Sequence, residues 1–167
     1  MHFEIRLAAE DDVPAITEIY NQAVALKSAT ADITPLSEES RRAWLTEHRA
    51  DKYPVFVADQ QGCVVGYSSL SPYRPGRRAL RHTAEISYYV HENYQGQGVG
   101  SGLIEHAINA CPRLELKTLF AIILDINPAS VRILEKFGFQ KWGHLPRVAE
   151  FDGVDCGHLY FGRRIAP

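Results

Sequence analysis

A run of glycines between two patterned segments constrains the fold of this chain more than any other feature. The stretch YQGQGVGSG, residues 94–102, places glycine at positions 96, 98, 100 and 102. The preceding HTAEISYYV alternates like a β-strand, and the following LIEHAINAC has helical periodicity. Glycine lets a ligand approach the backbone closely, and the first amides of a helix have no helical partner. The pattern therefore predicts a strand, a loop and a helix whose N-terminus binds an anion such as a pyrophosphate.

Three other interpretations of these glycines are weaker. A Rossmann fingerprint requires GxGxxG with an acidic residue about 20 positions later, and here the third glycine comes one position early. A P-loop ends in GKS or GKT, and no lysine follows here. A glycine-rich turn without a ligand is the third alternative, but the position between strand and helix favours a phosphate-binding loop.

The composition limits the class of partner. With 167 residues, 46% of them hydrophobic, the chain is long enough for one core, so we expect one domain over residues 1–167. A net charge of −2 and the lack of polybasic or long apolar segments predict neither a nucleic-acid partner nor a membrane partner. The expected partner is a small molecule or a second copy of the chain. The N-terminal residues lack the pattern of an export signal, so we expect a cytoplasmic protein.

Cysteine and histidine spacing gives no indication of a metal site. The three cysteines, Cys63, Cys111 and Cys156, are an odd number without a CxxC pair, which argues against both a disulfide framework and a zinc site. The seven histidines show neither HxxxH nor HExxH spacing. We therefore expect no metal.

The remaining pattern predicts a mixed sheet with helices. Predicted strands cover residues 3–7, 54–59, 63–70, 82–90, 118–124, 139–145 and 157–165, and predicted helices cover 9–24, 37–48, 103–111 and 128–138. The three consecutive strands from residue 54 form an antiparallel meander, and TLFAIIL is typical of a fully buried strand. Pro128 and Gly138 mark the start and the end of the last helix. The fold class is α+β (α/β).

The glycine loop and a second motif together resemble the GNAT (Gcn5-related N-acetyltransferase) superfamily. Gln95-x-x-Gly98-x-Gly100 resembles the superfamily's acetyl-CoA pyrophosphate loop, and INPASVRILEKFGF resembles its Asn-x-x-Ser and Gly-Phe motif. Over nearly its whole length the chain is similar to the phosphinothricin acetyltransferase branch, which shares IYN, GY, HT-x-E-x-S-x-Y-V and a tail like LPRVAEFDG. The resemblance implies a GNAT fold with about seven strands and about four helices, in which a parallel central pair of strands splays around acetyl-CoA.

The resemblance implies acetyl-CoA as co-substrate and indicates where it binds. The strand backbone from Tyr88 to Val90 would pair with the pantetheine arm like an added strand, and Asn127 would bind the same arm through its side-chain amide. The implied cofactor-binding residues are Tyr88, Tyr89, Val90, Gln95, Gly96, Gln97, Gly98, Val99, Gly100, Ser101, Asn127 and Ser130.

Glu85 is the predicted general base. Strand alternation places Glu85 on one face with Thr83 and Ser87, and burial raises the pKa of a carboxyl toward the useful range. A salt bridge to Arg81 or to another arginine is the alternative. The resemblance places the branch's proposed catalytic glutamate at Glu85 and implies that the Val90 backbone amide stabilises the charge on the thioester oxygen.

One position departs from the superfamily pattern. Leu134 stands where many members have a tyrosine that protonates the leaving thiolate. A cysteine-like thiol has a pKa of about 8.5, so the thiolate leaves without great difficulty and the departure need not abolish activity. Tyr88, Tyr89 and a water molecule are the alternatives for this role.

The acceptor is expected to be an amino acid or an analogue with an acidic group. Arginine binds carboxylates bidentately, and Arg74 in PYRPGRR matches the substrate-binding arginine of the branch, whereas Arg77 and Arg78 are expected to be solvated. Compounds of the phosphinothricin or methionine sulfoximine type fit this description. The predicted substrate-binding residues are Thr30, Tyr73, Arg74, Glu85, Ile86 and Ser87.

Two other functions and one assembly complete the expectations. The alternatives are a CoA-binding sensor without catalysis and an N-acetyltransferase of peptides or proteins. The resemblance also implies a homodimer with contacts through the tail RVAEFDGVDCGHLYF.

Overall fold

The structure is a computed structural model, and it describes residues 2–166. Within these residues seven strands form one sheet in the order β1-β2-β3-β4-β5-β7-β6. The strands are β1 (Glu4–Leu7), β2 (Val55–Gln60), β3 (Cys63–Pro72), β4 (Thr83–Val90), β5 (Thr118–Leu124), β6 (Gln140–Phe151) and β7 (Val154–Arg164). The α-helices are α1 (Val13–Leu26), α2 (Glu38–Glu47), α3 (Val99–Ala110) and α4 (Pro128–Lys136). The predicted order of elements is confirmed.

The pairing of the strands agrees with the expected mixed sheet. Strands β1 to β4 pair in succession, each antiparallel to the next. Strand β4 is parallel to β5, but the two pair at only three positions, Thr83 to Glu85 opposite Thr118 to Phe120. Beyond Glu85 the strands separate, and the backbone of β4 has no strand partner on that side within the described residues.

Helices cover the sheet on both faces, and strand alternation directs side chains to one layer or the other. In β2, Val55 and Val57 pack in the cluster formed with α1, whereas Phe56 between them packs in the cluster formed with α3. In β4, Ile86 and Tyr88 contact the α3 cluster, and Tyr89 contacts the α1 cluster. Strand β4 therefore presents different residues to each side of the sheet.

The helix after the glycine loop begins earlier than predicted. It starts at Val99 rather than at residue 103, so Gly100 and Gly102 lie inside its first turns. Because glycine has a low helix propensity, the glycines were predicted to lie in a loop. The burial of Val99, Leu103 and Ile104 in the core stabilises the helix enough to outweigh that low propensity.

The last two strands are longer than predicted and form one hairpin. Strand β6 continues to Phe151, and β7 begins at Val154. The two residues between them, Asp152 and Gly153, have φ angles of 51° and 80°, which is the turn that an Asp-Gly pair favours in hairpins. In the sequence, Pro146 makes the strand look interrupted, because proline lacks the N–H for a ladder hydrogen bond. In the structure, the register of β6 shifts between Leu145 and Ala149, and this shift accommodates the proline.

The helices and the potential metal ligands of residues 2–166 bear on membrane insertion and on metal binding. No helix in this range has the length and apolar character to cross a membrane. Within the same range, no group of three or more His, Cys, Asp or Glu residues is arranged to hold a metal ion.

Candidate active site

Two adjoining cavities meet at β4. The larger, of about 680 Å³, lies along β4, the glycine loop and the starts of α3 and α4. The smaller, of about 250 Å³, lies beside Glu85 on the other face of the strand. Ala29 and Tyr89 line both cavities. A ligand in one cavity is therefore a close neighbour of a ligand in the other.

The glycine loop forms an anion-binding helix start in the larger cavity. Gly98 is the N-cap of α3 with a φ of 87°, and it provides no side chain to bond the first amides. The Gly102 N–H donates to the Gly98 carbonyl at 3.0 Å, so the amides of Val99, Gly100 and Ser101 precede the helical bonds. These amides and the helix dipole together favour a negatively charged group.

The four glycines serve different purposes. Gly96 and Gly98 have positive φ angles, and a Cβ atom at either would meet nothing within 4 Å. A Cβ at Gly100 would lie 3.3 Å from Ile133 Cδ1, across the cavity. A Cβ at Gly102 would lie 2.9 Å from the Phe3 ring, so this glycine serves packing rather than ligand binding.

All but one of the predicted cofactor-binding residues line the larger cavity. The exception is Gln97, whose Nε2 donates to the Asn93 carbonyl at 3.0 Å. Gln95 lines the cavity and its Nε2 donates to the Val90 carbonyl at 3.4 Å. One face of α4, which consists of Ala129, Ile133 and Lys136, also lines the cavity and was not predicted. The i, i+4 and i+7 spacing of these residues was the signal in the sequence that could have identified the face.

Asn127 closes the start of α4. Its Oδ1 accepts from the Ser130 N–H at 3.2 Å, so it is the N-cap, and Pro128 follows at the first helical position as predicted. The side-chain oxygen is occupied in this way. The Nδ2 group remains available to donate to a ligand carbonyl in the cavity.

Glu85 lies in the smaller cavity without an ion pair. Burial raises the pKa of its carboxyl above the ordinary value. Among residues 2–166 no salt bridge includes Glu85, and the Arg81 guanidinium donates to the Arg78 carbonyl instead. The structure therefore does not support the salt-bridge alternative. A partly desolvated, unpaired carboxyl in a cavity can accept a proton from a bound amine.

The predicted substrate-binding residues divide into two groups. Thr30, Glu85 and Ser87 line the smaller cavity. Ile86 does not, because its side chain is 2% exposed and lies in the core on the opposite face. Tyr73 and Arg74 lie outside the lining. Sequence reasoning missed the contribution of β5 and β7, which requires knowledge of the sheet order; the additional lining residues are Ile122, Leu124, His158 and Tyr160.

An aromatic cluster connects Tyr73 to the face that carries Glu85. The Tyr73 ring stacks on Phe120 with 4.7 Å between the ring centroids. Phe120 lies opposite Glu85 in the parallel register, and its ring also meets Trp142 and Tyr160 edge to face. This stacking fixes the loop that carries Arg74, which is exposed and makes no ion pair among the described residues.

The loop between α1 and α2, residues 27–37, is held against the smaller cavity. Thr30 is hydrogen-bonded to the Tyr20 hydroxyl at 2.8 Å. Asn21 forms two hydrogen bonds with the backbone of Leu36, at 2.8 and 3.0 Å. Lys27 forms an ion pair with Asp152 at the tip of the β6–β7 hairpin. This ion pair joins the start of the loop to the tip of the hairpin.

Comparison with known proteins gives consistent matches over most of the chain. The family model described as Acetyltransferase (GNAT) family matches residues 16–139. A Bacillus subtilis protein with a provisional name as phosphinothricin acetyltransferase is 37% identical over 163 residues, which cover 97% of this chain and 99% of that protein. The L-methionine sulfoximine/L-methionine sulfone acetyltransferase of Salmonella typhimurium is 35% identical over 144 residues, 86% of this chain and 84% of that protein.

A solved structure agrees in fold. The GNAT superfamily phosphinothricin acetyltransferase from Sinorhizobium meliloti, in complex with AcCoA, superposes with a TM-score of 0.92 at 29% identity. The match covers 98% of this chain and 89% of that chain.

Proposed function

Because the chain belongs to the GNAT acetyltransferase family, we propose that it transfers the acetyl group of acetyl-CoA to the amino group of a small amino-acid-like acceptor. The acceptor belongs to the phosphinothricin or methionine sulfoximine type, as it does in the relatives named above. One observation carries this proposal. A cavity with a phosphate-binding helix start adjoins a cavity with an unpaired carboxyl, and the two meet on one strand.

The larger cavity fits acetyl-CoA. The amides of Val99, Gly100 and Ser101 would hold the pyrophosphate, and Lys136 adds a positive charge to the same cavity. The unpaired stretch of β4 beyond Glu85 would bind the pantetheine arm in the way that a sheet edge binds a peptide. Asn127 would donate to the same arm through Nδ2.

Glu85 and Val90 carry the chemistry of the transfer. An α-amino group has a pKa of about 8 and is mostly protonated near neutral pH, so it must lose a proton before it attacks the thioester. Glu85 takes that proton, directly or through a water molecule. The backbone amide of Val90 donates to the thioester oxygen, where negative charge develops.

The acceptor binds between β4, β5, β7 and the loop at residues 27–37. Thr30, Ser87, His158 and Tyr160 offer polar contacts around Glu85. Arg74 projects from the segment that Tyr73 fixes on Phe120, and it binds the acidic group of the acceptor. The size of the smaller cavity, about 250 Å³, favours a free amino acid over a long peptide.

The experiment is a measurement of CoA release from acetyl-CoA with a panel of acceptors. The panel contains free amino acids, phosphinothricin, methionine sulfoximine and peptides with free N-termini. Turnover with one acidic amino-acid analogue supports the proposal. Turnover with peptides alone would contradict the acceptor class, and tight acetyl-CoA binding without turnover would favour the sensor.

The assembly and the location belong to the same proposal. The β6–β7 hairpin exposes apolar side chains, among them Leu145, Val148 and Val154, and we propose that it forms the contact of a homodimer. Sedimentation equilibrium of the protein and of a Val154→Asp variant tests this contact. The proposed location is the cytoplasm, where acetyl-CoA is available, and fractionation of cells tests it.

A further inference from the structure

The hydroxyl of Tyr88 is a buried polar group without a hydrogen-bond partner in the described part of the chain. An unpaired buried hydroxyl costs about 1–3 kcal/mol, and nearly all such groups in folded proteins are paired. Tyr88 belongs to the wall of the larger cavity. An unpaired hydroxyl at this place indicates that its partner is an atom of the ligand.

The position of Tyr88 separates it from the neighbouring tyrosine. Tyr88 packs on the α3 cluster, and Ser130 in the first turn of α4 lies close enough to lower the pKa of its hydroxyl, although no hydrogen bond joins the two. Tyr89 packs against α1 on the other face, where its hydroxyl interacts with Thr30. Of the two tyrosines, only Tyr88 has a free, buried donor beside α4.

Helix α4 provides no acidic side chain of its own at this place. Leu134 is 0% exposed and belongs to the apolar core. Tyr88 contacts the same cluster from the strand side. The hydroxyl that α4 itself contributes to the lining of the cavity is that of Ser130.

We propose that Tyr88 donates a hydrogen bond to the thioester sulfur of acetyl-CoA and stabilises the thiolate as it leaves. This inference rests on the proposed function and deepens it. The nitrogen of the acceptor bonds to the acetyl carbon, the C–S bond breaks, and its electron pair goes to sulfur. Glu85 takes one proton from the ammonium group before the attack and releases it to water, and the nitrogen loses its second proton to water after the C–N bond forms.

Tyr88 acts as a donor that keeps its proton. Burial, which outweighs the opposing effect of Ser130, raises the pKa of Tyr88 to about 12, so the hydroxyl stays protonated at neutral pH. A thiol of pKa about 8.5 is more acidic, so the departing thiolate does not remove that proton. The thiolate takes its proton from water after departure, and the sum of the steps is an amide and a CoA thiol.

The first test compares Tyr88→Phe with Tyr53→Phe. Tyr53 is a half-buried tyrosine that packs on the same core cluster and lines neither cavity. Loss of a donor to a developing charge predicts that Tyr88→Phe lowers kcat by about 10²-fold while the Kd for acetyl-CoA changes by less than about threefold. Tyr53→Phe leaves kcat unchanged. The inference is overturned if Tyr88→Phe keeps a kcat within about twofold of the parent. It is also overturned if Ser130→Ala lowers kcat and Tyr88→Phe does not.

The second test distinguishes a donor from a packing group. Fluorinated tyrosines of decreasing pKa, placed at position 88, donate progressively stronger hydrogen bonds, so kcat is expected to rise along the series. No correlation of kcat with phenol pKa would contradict the inference.

A crystal structure of the parent protein with acetyl-CoA provides a test that needs no variant. A Tyr88 hydroxyl within about 4 Å of the sulfur supports the inference, and a greater distance overturns it. This outcome is separate from the proposed function, which the acceptor panel tests with the parent protein.

Discussion

Gly62 and Gly98 share a backbone φ of 87°, and a Cβ atom at either would meet nothing within 4 Å. Gly62 lies in the turn between β2 and β3, whereas Gly98 caps α3 at the larger cavity. The two glycines therefore form a matched pair in backbone conformation, and they differ in whether a ligand is close.

We expect Gly98→Ala to weaken acetyl-CoA binding and Gly62→Ala to leave it unchanged. Both alanines pay a similar cost for a left-handed backbone, about 1 kcal/mol of stability. Only the methyl group at position 98 occupies space in front of the α3 amides, so its Kd should rise by about tenfold or more. Isothermal titration with acetyl-CoA and thermal unfolding measure the two effects. Equal Kd values for the two variants would contradict the proposed pyrophosphate site.

Glu85→Gln should abolish most of the turnover without loss of acetyl-CoA binding. Removal of a general base lowers kcat by about 10²- to 10⁴-fold. The exposed Glu105 on α3 offers a control, and Glu105→Gln should behave like the parent. If Glu85→Gln retains full turnover with a protonated amine as acceptor, Glu85 is not the base.

The raised pKa of Glu85 also predicts two pH dependences. The base works only when ionised, so kcat/KM should rise with pH through a pKa above the ordinary glutamate value.

Because the folded state holds the proton more tightly than the unfolded state, the parent should lose stability as pH rises through that range. Glu85→Gln should therefore be more stable than the parent at neutral pH, and the difference should shrink below the ordinary pKa. Thermal unfolding against pH checks the sign.

Arg74→Ala should raise the KM for an acceptor with an acidic group. Loss of a charge-assisted pair is worth about 10- to 100-fold in affinity, and the KM for acetyl-CoA should not change. Arg77→Ala removes an equal charge from the same exposed loop. An equal rise in KM for both variants would mean that the charge of the loop attracts the acceptor, and that Arg74 has no specific contact.

Asp12 should stabilise the fold at neutral pH but not in acid. Burial alone would raise its pKa, but hydrogen bonds from Arg6 and from the Ala9 N–H, with the charge of Arg6, hold the pKa below its usual range. That stability is present above the unfolded-state pKa and is lost as pH falls through the folded-state pKa. Asp12→Asn should cost about 1–2 kcal/mol at pH 7, since Arg6 is 38% exposed and water screens the pair.

The difference between Asp12→Asn and the parent should vanish as pH falls below the folded-state pKa of Asp12, where the carboxyl is protonated in both the folded and the unfolded state. The exposed pair of Asp51 with Arg49 is the control, and Asp51→Asn should give no measurable change in Tm. A difference that persists in acid would mean that Asp12 acts through shape rather than charge.

Structure could be predicted from the sequence where a backbone conformation suits only a few residue types. Pro128 marked the start of α4, because proline suits the first position of a helix. The alternation in β4 placed Glu85 and Ile86 on opposite faces, although Ile86 was still assigned to the substrate site.

Local sequence patterns could not predict that residues from distant strands line the site. His158 and Tyr160 reach the smaller cavity only because β7 lies between β5 and β6 in the sheet, an order that no short segment encodes. The stacking of Tyr73 on Phe120 likewise depends on the parallel register of β4 and β5. The Asp152-Gly153 pair is a local turn signal, but the hairpin was not predicted, because Pro146 interrupts the strand pattern before it.

The short pairing of β4 with β5 has a consequence for the lifetime of the protein. After three residue pairs β4 and β5 separate, and the main chain of β4 beyond Glu85 has no cross-strand hydrogen bonds on the β5 side. A ligand that occupies this gap supplies the missing hydrogen bonds, so it stabilises the folded state as an added strand would. Binding at 100 times the Kd would add about 2.7 kcal/mol to the free energy of unfolding. The resistance of the purified protein to proteolysis should therefore rise with the concentration of added acetyl-CoA.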